Sequence, residues 1–176
     1  GSTRLRVYGS ALDGLGSHYV CRFNESETPA ALDDAGTGDV LCQAAPSGVL
    51  GNAKLRVSLN GQQFEASDVQ YGYYEHVELF GVSPSAGPSD GATNVVIDGL
   101  RFASGDSMTP DYRCAFGDDL DAAIILPAQL VGEALTCVTP PLHAGATQLR
   151  LTLNGQDYAN SSVIFDVLEP VIISSL

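Results

Sequence analysis

Short runs of alternating apolar and polar residues dominate the chain. In its second half they are bounded by Gly, Pro, Asn, Asp or Ser and lie at 95–97, 112–116, 135–138, 149–153 and 163–167. Alternation with a period of two is typical of strands that bury one face, and turns about 8 to 12 residues apart are typical of a β-sandwich. The pattern therefore predicts an all-β chain.

The chain contains one module twice. Residues 54–64 (KLRVSLNGQQF) match residues 148–158 (QLRLTLNGQDY) at an offset of 94 positions. Other matches drift by a few positions, which is expected where loops differ in length. A copy of roughly 90 residues made of short strands is typical of a seven-strand β-sandwich. We therefore expect two such sandwiches in tandem.

Two local features of the copies carry further predictions. Asn-Gly occurs at 60–61 and again at 154–155, and this dipeptide predicts a two-residue hairpin turn with positive φ at both positions. The stretch 122–131 begins like a helix, but Pro127 interrupts it and its counterpart near 33–37 is polar and glycine-rich. We therefore expect an irregular strand over 122–131.

The repeat sets the expected domain boundaries at 1–75 and 76–168. Residues 169–176 (EPVIISSL) match residues 75–82 (EHVELFGV), which open the second copy, so they are expected to open a further repeat. The first copy lacks this opening strand. Because residues 71–80 join the copies without a Gly/Ser-rich or Pro-rich linker, we expect a stiff, rod-like arrangement.

The apolar tail residues Val171, Ile172 and Ile173 suggest an occupant for the missing strand. We hypothesise that they fill the vacant position in the first domain of another molecule, head to tail, by strand addition. The alternative is a tail that packs only against its own domain.

The second copy resembles a known family. Its characteristic segments are Val82-Ser83-Pro84, 96–102 (VIDGLRF), 114–117 (CAFG), 135–141 (LTCVTPP) and 153–156 (LNGQ). They resemble the IPT/TIG domain, an immunoglobulin-like module of plexins, the Met receptor family, fibrocystin-like surface proteins, some transcription factors and some starch-active enzymes. The resemblance implies immunoglobulin-like (E-set) β-sandwiches. It is weaker in the first copy.

Four cysteines lie at corresponding places in the two copies. Cys21 and Cys42 are 21 residues apart, and Cys114 and Cys137 are 23 residues apart. Of the three connectivities open to four cysteines, pairing within each copy alone closes both bridges inside a module. The alternatives are four buried thiols in a cytosolic protein or a zinc site, which the lack of a Cys-x-x-Cys or Cys/His cluster disfavours. Disulfides indicate the secretory pathway and an extracellular or cell-surface location.

Two N-glycosylation sequons agree with that location. They are Asn24-Glu25-Ser26 and Asn160-Ser161-Ser162, neither with proline at the middle position. Asn24 falls in a predicted loop, and Asn160 directly precedes the last strand of its copy. The alternative is that both are unmodified surface asparagines.

Recognisable catalytic motifs are absent from the sequence. His18, His76 and His143 are dispersed, and no Gly-x-Ser-x-Gly, His-Glu-x-x-His or P-loop pattern occurs. We therefore expect a protein that is not an enzyme, with no catalytic residue, cofactor or metal centre.

One acidic run has the oxygen ligands that calcium takes. It is 118–121 (DDLD), with Asp106 and Asp111 nearby. Its spacing fits no EF-hand, and the first copy offers only Asp33-Asp34. A solvated acidic loop is the favoured interpretation.

Composition and charge restrict the classes of partner that the chain can bind. The chain is 44% hydrophobic and 16% charged, which excludes disorder. Its net charge of -13 opposes binding to nucleic acid and to anionic membranes, because both require basic surfaces. No apolar run approaches the length of a membrane span, so we expect no membrane insertion within this fragment.

Three functions remain. The favoured one is a non-catalytic extracellular or cell-surface module of a larger repeat protein, acting in adhesion or recognition and as a stiff spacer. Its partners would be other cell-surface proteins or neighbouring repeats of the same array. The alternatives are a fragment of a plexin-like or Met-like signalling receptor and an accessory domain of a secreted carbohydrate-active enzyme. The absence of tryptophan disfavours the last.

Overall fold

The protein is built from β-strands. The structure, a computed structural model, describes residues 3–12, 16–48, 50–102 and 110–170, and every regular element in these ranges is a strand. The prediction of an all-β chain is therefore confirmed. The chain divides into two compact units, the first ending at Tyr74 and the second beginning at Glu75. Within the described ranges there is no helix long and apolar enough to cross a membrane.

The described residues of the first unit form six antiparallel strands. They are hydrogen-bonded in the order β1-β4-β3-β2-β5-β6. Their bounds are β1 (Arg4–Val7), β2 (Val20–Phe23), β3 (Ser26–Leu32), β4 (Val40–Gln43), β5 (Gly51–Ser58) and β6 (Gln70–Tyr73).

One strand of this unit changes its hydrogen-bonded partner along its length. The first half of β3 pairs with β2, up to the match of Pro29 with Val20, and the second half pairs with β4, starting at the match of Ala30 with Cys42. We call β3 the crossing strand of the first unit. The change of partner follows Pro29, which fits the rule that proline interrupts a regular ladder of hydrogen bonds.

The second unit is a sandwich of two sheets. One has the order β11-β10-β14-β15-β8, with β15 and β8 parallel, and the other has the order β12-β13-β9-β7. The strand bounds are β7 (Glu78–Ser83), β8 (Ala86–Pro88), β9 (Asn94–Leu100), β10 (Arg113–Phe116), β11 (Ile124–Pro127), β12 (Gln129–Val131), β13 (Ala134–Val138), β14 (Gly145–Thr152) and β15 (Ile164–Leu168).

The crossing strand of the second unit is broken into β11 and β12. β11 pairs with β10 in one sheet, and β12 pairs with β13 in the other. Between them the N–H of Ala128 donates to the carbonyl of Tyr112 at 2.9 Å, just as the N–H of Ala30 donates to Tyr19 at 3.0 Å in the first unit. The prediction of an irregular strand over 122–131 is confirmed. The prediction that the loop near 33–37 is the counterpart of 122–131 is wrong, because β3 is the strand at the equivalent place in the first unit.

The wrong counterpart has a simple cause. In the first unit two residues (24–25) precede the crossing strand and seven (33–39) follow it. In the second unit seven residues (117–123) precede it and two (132–133) follow it. Because the two loop lengths are exchanged, the constant offset of 94 misplaces the strand between them.

Both Asn-Gly pairs form turns, but the two-residue hairpins predicted for them are wrong. Gly61 and Gly155 have φ of 74° and 72°, whereas the preceding asparagines do not have positive φ. The Oδ1 of Asn60 accepts backbone hydrogen bonds from the two residues after the glycine, at 3.0 and 3.1 Å, and Asn154 does the same at 3.0 and 2.8 Å. These asparagine turns open longer connections to β6 and β15.

Aromatic pairs mark the two cores. In the second unit Phe116 and Phe165 are fully buried and meet edge to face, with ring centroids 6.3 Å apart. In the first unit Tyr71 and Tyr73 pack against Phe23, with centroids 5.5 and 6.5 Å from it. Such contacts stabilise a core beyond the apolar area that they bury.

Gly91→Ala is expected to destabilise the second unit strongly. Gly91 has φ of 78°, and an added Cβ would lie 2.5 to 2.7 Å from backbone atoms of Pro140 and Pro141. Left-handed strain and overpacking together predict a loss of about 3 kcal/mol in the free energy of unfolding. Urea unfolding followed by circular dichroism measures the loss.

Gly132→Ala is the matched control. Gly132 has φ of 64° but no atom within 4 Å of the added Cβ, so its loss should reflect left-handed strain alone and be about 1 kcal/mol. Equal losses for the two variants would contradict the close approach at Gly91.

Candidate functional site

One disulfide bond lies in each unit. Cys21 of β2 is bonded to Cys42 of β4, with Cα atoms 6.2 Å apart, and Cys114 of β10 is bonded to Cys137 of β13, with Cα atoms 6.6 Å apart. This is the pairing that the repeat predicts. In both units the bonded cysteines lie on the two strands that flank the crossing strand.

The disulfides are part of the core. Each of the four cysteines is at most 4% exposed, and none is free. A reductant reaches a bond of this kind only after local opening of the fold. The bonds are therefore structural, in contrast to the exposed, low-pKa thiols of redox enzymes.

Asn24 lies in the two-residue turn between β2 and β3. It is exposed and has φ of 52°, a conformation that asparagine tolerates better than most residues. Its side-chain Oδ1 accepts a hydrogen bond of 2.9 Å from the N–H of Lys54, and its own N–H donates to the carbonyl of Lys54 at 2.9 Å. The side-chain amide nitrogen, to which a glycan would be attached, takes part in neither of these two hydrogen bonds.

The second unit makes the same connection with another residue. The N–H of Gly117 donates to the carbonyl of Gln148 at 2.9 Å, and Asp118 Oδ1 faces the N–H of Gln148 at 3.4 Å. Asp118 therefore takes the place of the Asn24 side chain. Gly117 and Asp118 thus divide the two roles of Asn24 in the second unit, where the sequence has no sequon at this position.

Asn160, the other sequon asparagine, lies beside a shallow groove. The groove is open to solvent, has a volume of about 520 Å³ and is lined by Asp118, Asp119, Leu120, Arg150, Tyr158, Ala159 and Asn160. Asn160 is exposed, whereas the middle residue of its sequon, Ser161, is 7% exposed and accepts a hydrogen bond on its Oγ from the N–H of Val163. The two sequons therefore lie in unlike surroundings, one on a tight turn and one at a groove.

The acidic run beside this groove is engaged in local contacts. Asp119 Oδ1 accepts a hydrogen bond of 3.1 Å from the N–H of Asp121. Asp111 pairs with Arg113 at 2.7 Å, and hydrogen bonding to that guanidinium lowers the pKa of the Asp111 carboxyl below its usual value. Asp106 lies outside the described residues. Among the residues that the structure describes, no three His, Cys, Asp or Glu side chains come together as a metal site.

Arg150 is a groove residue that sequence reasoning did not single out. Its guanidinium donates to the carbonyls of Gly117 and Asp118, at 3.1 and 2.7 Å, and to Oε1 of Gln148 at 2.5 Å. It thereby holds the seven-residue loop 117–123 against β14. The repeat places Arg56 at the equivalent position in the first unit, and this match could have pointed to Arg150. Only the folded chain shows which carbonyls Arg150 reaches.

Loss of one disulfide is expected to destabilise its unit. The double variant Cys114→Ala/Cys137→Ala should lose about 3 kcal/mol in the free energy of unfolding, because the bond closes a loop of 23 residues. The variant Cys21→Ala/Cys42→Ala, with a loop of 21 residues, should lose nearly as much. Urea unfolding of the oxidised proteins measures both losses. An oxidised protein no more stable than its variants would contradict the structural role.

The fold is shared with plexin ectodomains. The plexin A4 extracellular region, as domains 1 to 10, superposes with a TM-score of 0.55 at 16% identity over 88% of this chain and 13% of that chain. A second plexin A4 structure, with domains 1 to 8, gives 0.50 at 16% identity over 96% and 17%. The chain thus spans less than a fifth of either plexin, and at this identity the likeness concerns the fold alone.

A third structure is more distant. SGBP-B of the Bacteroides ovatus mixed-linkage glucan utilization locus, in complex with a mixed-linkage heptasaccharide, gives a TM-score of 0.36 at 11% identity over 96% of this chain and 42% of that chain. Among curated proteins, none matches the sequence at a significant level.

A family match identifies the second unit. Residues 80–166 match the IPT/TIG domain, and this range extends from β7 into β15 and includes the Cys114–Cys137 bond. The two-sheet fold of the second unit is consistent with this match. Residues 80–166 of the chain therefore belong to the IPT/TIG domain family.

Proposed function

We propose that the chain is a non-catalytic part of a larger extracellular or cell-surface repeat protein. Its modules act in adhesion or recognition and as a stiff spacer, and its partners are other cell-surface proteins or neighbouring repeats of the same array. The observation that carries this proposal is the presence of one buried disulfide in each unit.

Buried disulfides support an oxidising compartment. Cytosolic thiols are kept reduced, so a fold that contains two core disulfides is suited to the secretory pathway and the extracellular space. The IPT/TIG family and the likeness to plexin ectodomains are consistent with this location.

The two sequons support a glycoprotein. Asn24 and Asn160 are both exposed, and each precedes a serine at the required spacing. Asn24 presents its side chain on a turn, where a glycan would extend into solvent without displacing a core residue. Glycans at these positions would cover part of one surface of each unit.

The short connection between the units supports the spacer role. β6 ends at Tyr73 and β7 begins at Glu78, so four residues separate the last strand of one unit from the first strand of the next. A connection this short, without glycine or proline, leaves few backbone torsions free. This short connection is consistent with the proposed role as a stiff spacer.

A receptor ectodomain of plexin type is the second candidate function. The fold likeness to plexin A4 favours it over an accessory domain of a carbohydrate-active enzyme. It requires that binding of a partner start a signal in the cell that displays the parent protein, whereas adhesion and spacing require no signal. A signalling response of such cells to a bound partner supports the receptor function, and binding without a response supports adhesion.

Expression through a eukaryotic secretory pathway should attach glycans at both sequons. Ser26→Ala removes the first sequon but retains Asn24 and its bond to Lys54, and Ser162→Ala removes the second. Each variant should lose one glycan in intact-mass spectra, and the double variant should lose both. Secretion without any glycan, or four reduced thiols in the secreted protein, would contradict the proposed location.

Asn24→Asp is the matched control for folding. It retains an acceptor for the N–H of Lys54 and matches the role of Asp118 in the second unit, but it cannot carry a glycan. If its stability equals that of Ser26→Ala, any change in secretion follows from the missing glycan and not from a damaged turn.

A further inference from the structure

We propose that the first sugar of an N-linked glycan on Asn160, an N-acetylglucosamine, packs against the ring of Tyr158 in the adjoining groove and stabilises the second unit. The inference rests on the proposed function, because it requires the glycan that the sequon at Asn160 predicts. It goes further by assigning that glycan a binding surface on the protein. The supporting observations are the direction of the two side chains, the contacts of the equivalent ring in the first unit, and the composition of the groove.

Tyr158 and Asn160 lie on the same outward side of one extended segment. Asn160 is exposed and Tyr158 is partly exposed, whereas Ala159 and Ser161 are buried, at 3 and 7% exposed. The segment runs beside β14, where the N–H of Ala159 donates to the carbonyl of Leu151 at 2.7 Å. Residues two positions apart in an extended chain are about 7 Å apart and point to the same side. The ring is therefore within reach of the first sugar on Asn160.

The first unit has an equivalent ring with a different neighbour. Phe64 is the counterpart of Tyr158, because the residue after each donates the same backbone hydrogen bond to the long strand beside it, at 3.1 Å in the first unit and 2.7 Å in the second. The guanidinium of Arg22 lies over the ring of Phe64, 3.5 Å from its centroid. The first unit thus covers the outward ring at this place in the fold with a cation.

The second unit has no such cation to offer from the same position. Arg22 of β2 and Ala115 of β10 lie opposite equivalent arginines, Arg56 and Arg150. The methyl group of an alanine is too short to extend over the ring of Tyr158. Among the residues that the structure describes, no cation lies over that ring.

A sequon asparagine is present instead. Two positions after Phe64 the first unit has Ala66, and two positions after Tyr158 the second unit has Asn160. Each unit therefore provides one group that can cover its ring. In the first unit it is a guanidinium, and in the second it is the sugar that the sequon would carry.

Arg113 lies near Tyr158 without covering its ring. Its guanidinium is held by the carboxylate of Asp111 through hydrogen bonds of 2.8 and 2.7 Å. Burial raises the pKa of the Tyr158 phenol above its usual value, although the charge of Arg113 acts in the opposite direction. The phenol is therefore uncharged at neutral pH, which suits contact with an uncharged sugar.

Sugar and guanidinium are attracted to a ring for the same reason. One face of a pyranose consists of C–H groups with a small positive charge, and the face of an aromatic ring is negative. The sugar face is also apolar, so contact with the ring removes apolar surface from water. An N-acetylglucosamine can therefore cover Tyr158 as Arg22 covers Phe64.

The groove has the size and the walls that this sugar requires. Its volume of about 520 Å³ falls within the range of about 300 to 1,000 Å³ that is typical of small-molecule sites. Besides Tyr158 it has an apolar wall in Leu120, which is 38% exposed, and carboxylates in Asp118 and Asp119 that accept hydrogen bonds from hydroxyl groups. A sugar in the groove would contact both the loop 117–123 and the segment before β15. The open side leaves room for the rest of the glycan.

The first experiment is a double-variant cycle on secreted protein with high-mannose glycans, trimmed by an endoglycosidase to one N-acetylglucosamine at each site. Ser162→Ala removes the sugar and retains Asn160, and Tyr158→Leu removes the ring and retains an apolar side chain. The sugar should raise the equilibrium constant for folding of the second unit about fivefold with Tyr158, the size expected of one ring contact, and less than about twofold with Tyr158→Leu. Urea unfolding followed by the amide resonances of β14 and β15 measures all four proteins.

Tyr158→Phe is the matched control. It retains the ring and removes the hydroxyl, so the sugar should stabilise it as much as it stabilises the unaltered chain. Loss of the effect in Tyr158→Phe would contradict packing against the ring.

The second experiment detects the contact directly by NMR spectroscopy. Protons of the sugar on Asn160 should be shifted upfield by the ring of Tyr158, and Tyr158→Leu should abolish the shift. The sugar on Asn24 is the internal reference, because the residue two positions before it is Arg22.

A transferred sequon tests the equivalence of sugar and guanidinium. Ala66→Asn with Asp68→Ser places a sequon two positions after Phe64, whose ring Arg22 covers. Addition of Arg22→Ala should increase the upfield shift of the sugar protons, because it uncovers the ring. Equal shifts with and without Arg22 would contradict the equivalence.

The outcomes separate this inference from the proposed function. A sugar on Asn160 that neither stabilises the second unit nor shows an upfield shift overturns the inference and leaves the extracellular location unaffected. Secreted protein that carries a glycan on Asn24 but none on Asn160 has the same meaning. Secreted protein without any glycan contradicts the inference and the proposed location together.

Discussion

The disulfide that links the two strands on either side of the crossing strand is the constraint on which each module depends. A strand that leaves one sheet and joins the other does not itself fix the distance between the layers. In each unit one disulfide, Cys21–Cys42 or Cys114–Cys137, joins the two strands that flank the crossing strand. It holds their Cα atoms 6.2 or 6.6 Å apart. Once the spacing is set, alternate residues of the flanking strands fill the interior, and the loops at the ends of the crossing strand are free to differ. The small size of each unit makes such a covalent constraint valuable, because a short chain buries a limited apolar core.

The strands and the disulfide pairing could be predicted from the sequence because both leave periodic signals. Alternation with a period of two locates β9, β10, β13 and β15, and the near-constant offset of the cysteines gives their pairing. The exchange of loop lengths around the crossing strand could not be predicted, because polar loop residues such as those at 33–39 and 117–123 have no periodicity that fixes their alignment. The prediction of two-residue hairpins at the Asn-Gly pairs is wrong for a different reason. The side-chain oxygens of Asn60 and Asn154 accept hydrogen bonds from the backbone that follows, and this local turn competes with the hairpin preferred by the dipeptide.

The candidate site was predictable in its residues but not in its surroundings. A three-residue motif locates Asn24 and Asn160, whereas the bond from Lys54 to Asn24 spans 30 positions and exists only after β2 and β5 have paired. The same holds for Arg150, whose carbonyl acceptors lie 32 and 33 positions away. The substitution of Asp118 for the acceptor of Asn24 shows that the two copies preserve a hydrogen bond while changing the residue that makes it. A comparison of sequences position by position overlooks such a replacement.

The exchange of loop lengths has a consequence for how an array of these modules can diversify. The crossing strand keeps its partners whether the long connection precedes it, as at 117–123, or follows it, as at 33–39. Each module thus offers two independent attachment points on one unchanged framework. Insertion or deletion of a few residues at either point alters the outer surface while the interior stays the same. Neighbouring repeats can therefore acquire different contact surfaces through changes in length alone, and the same two places are natural sites for grafting foreign peptides.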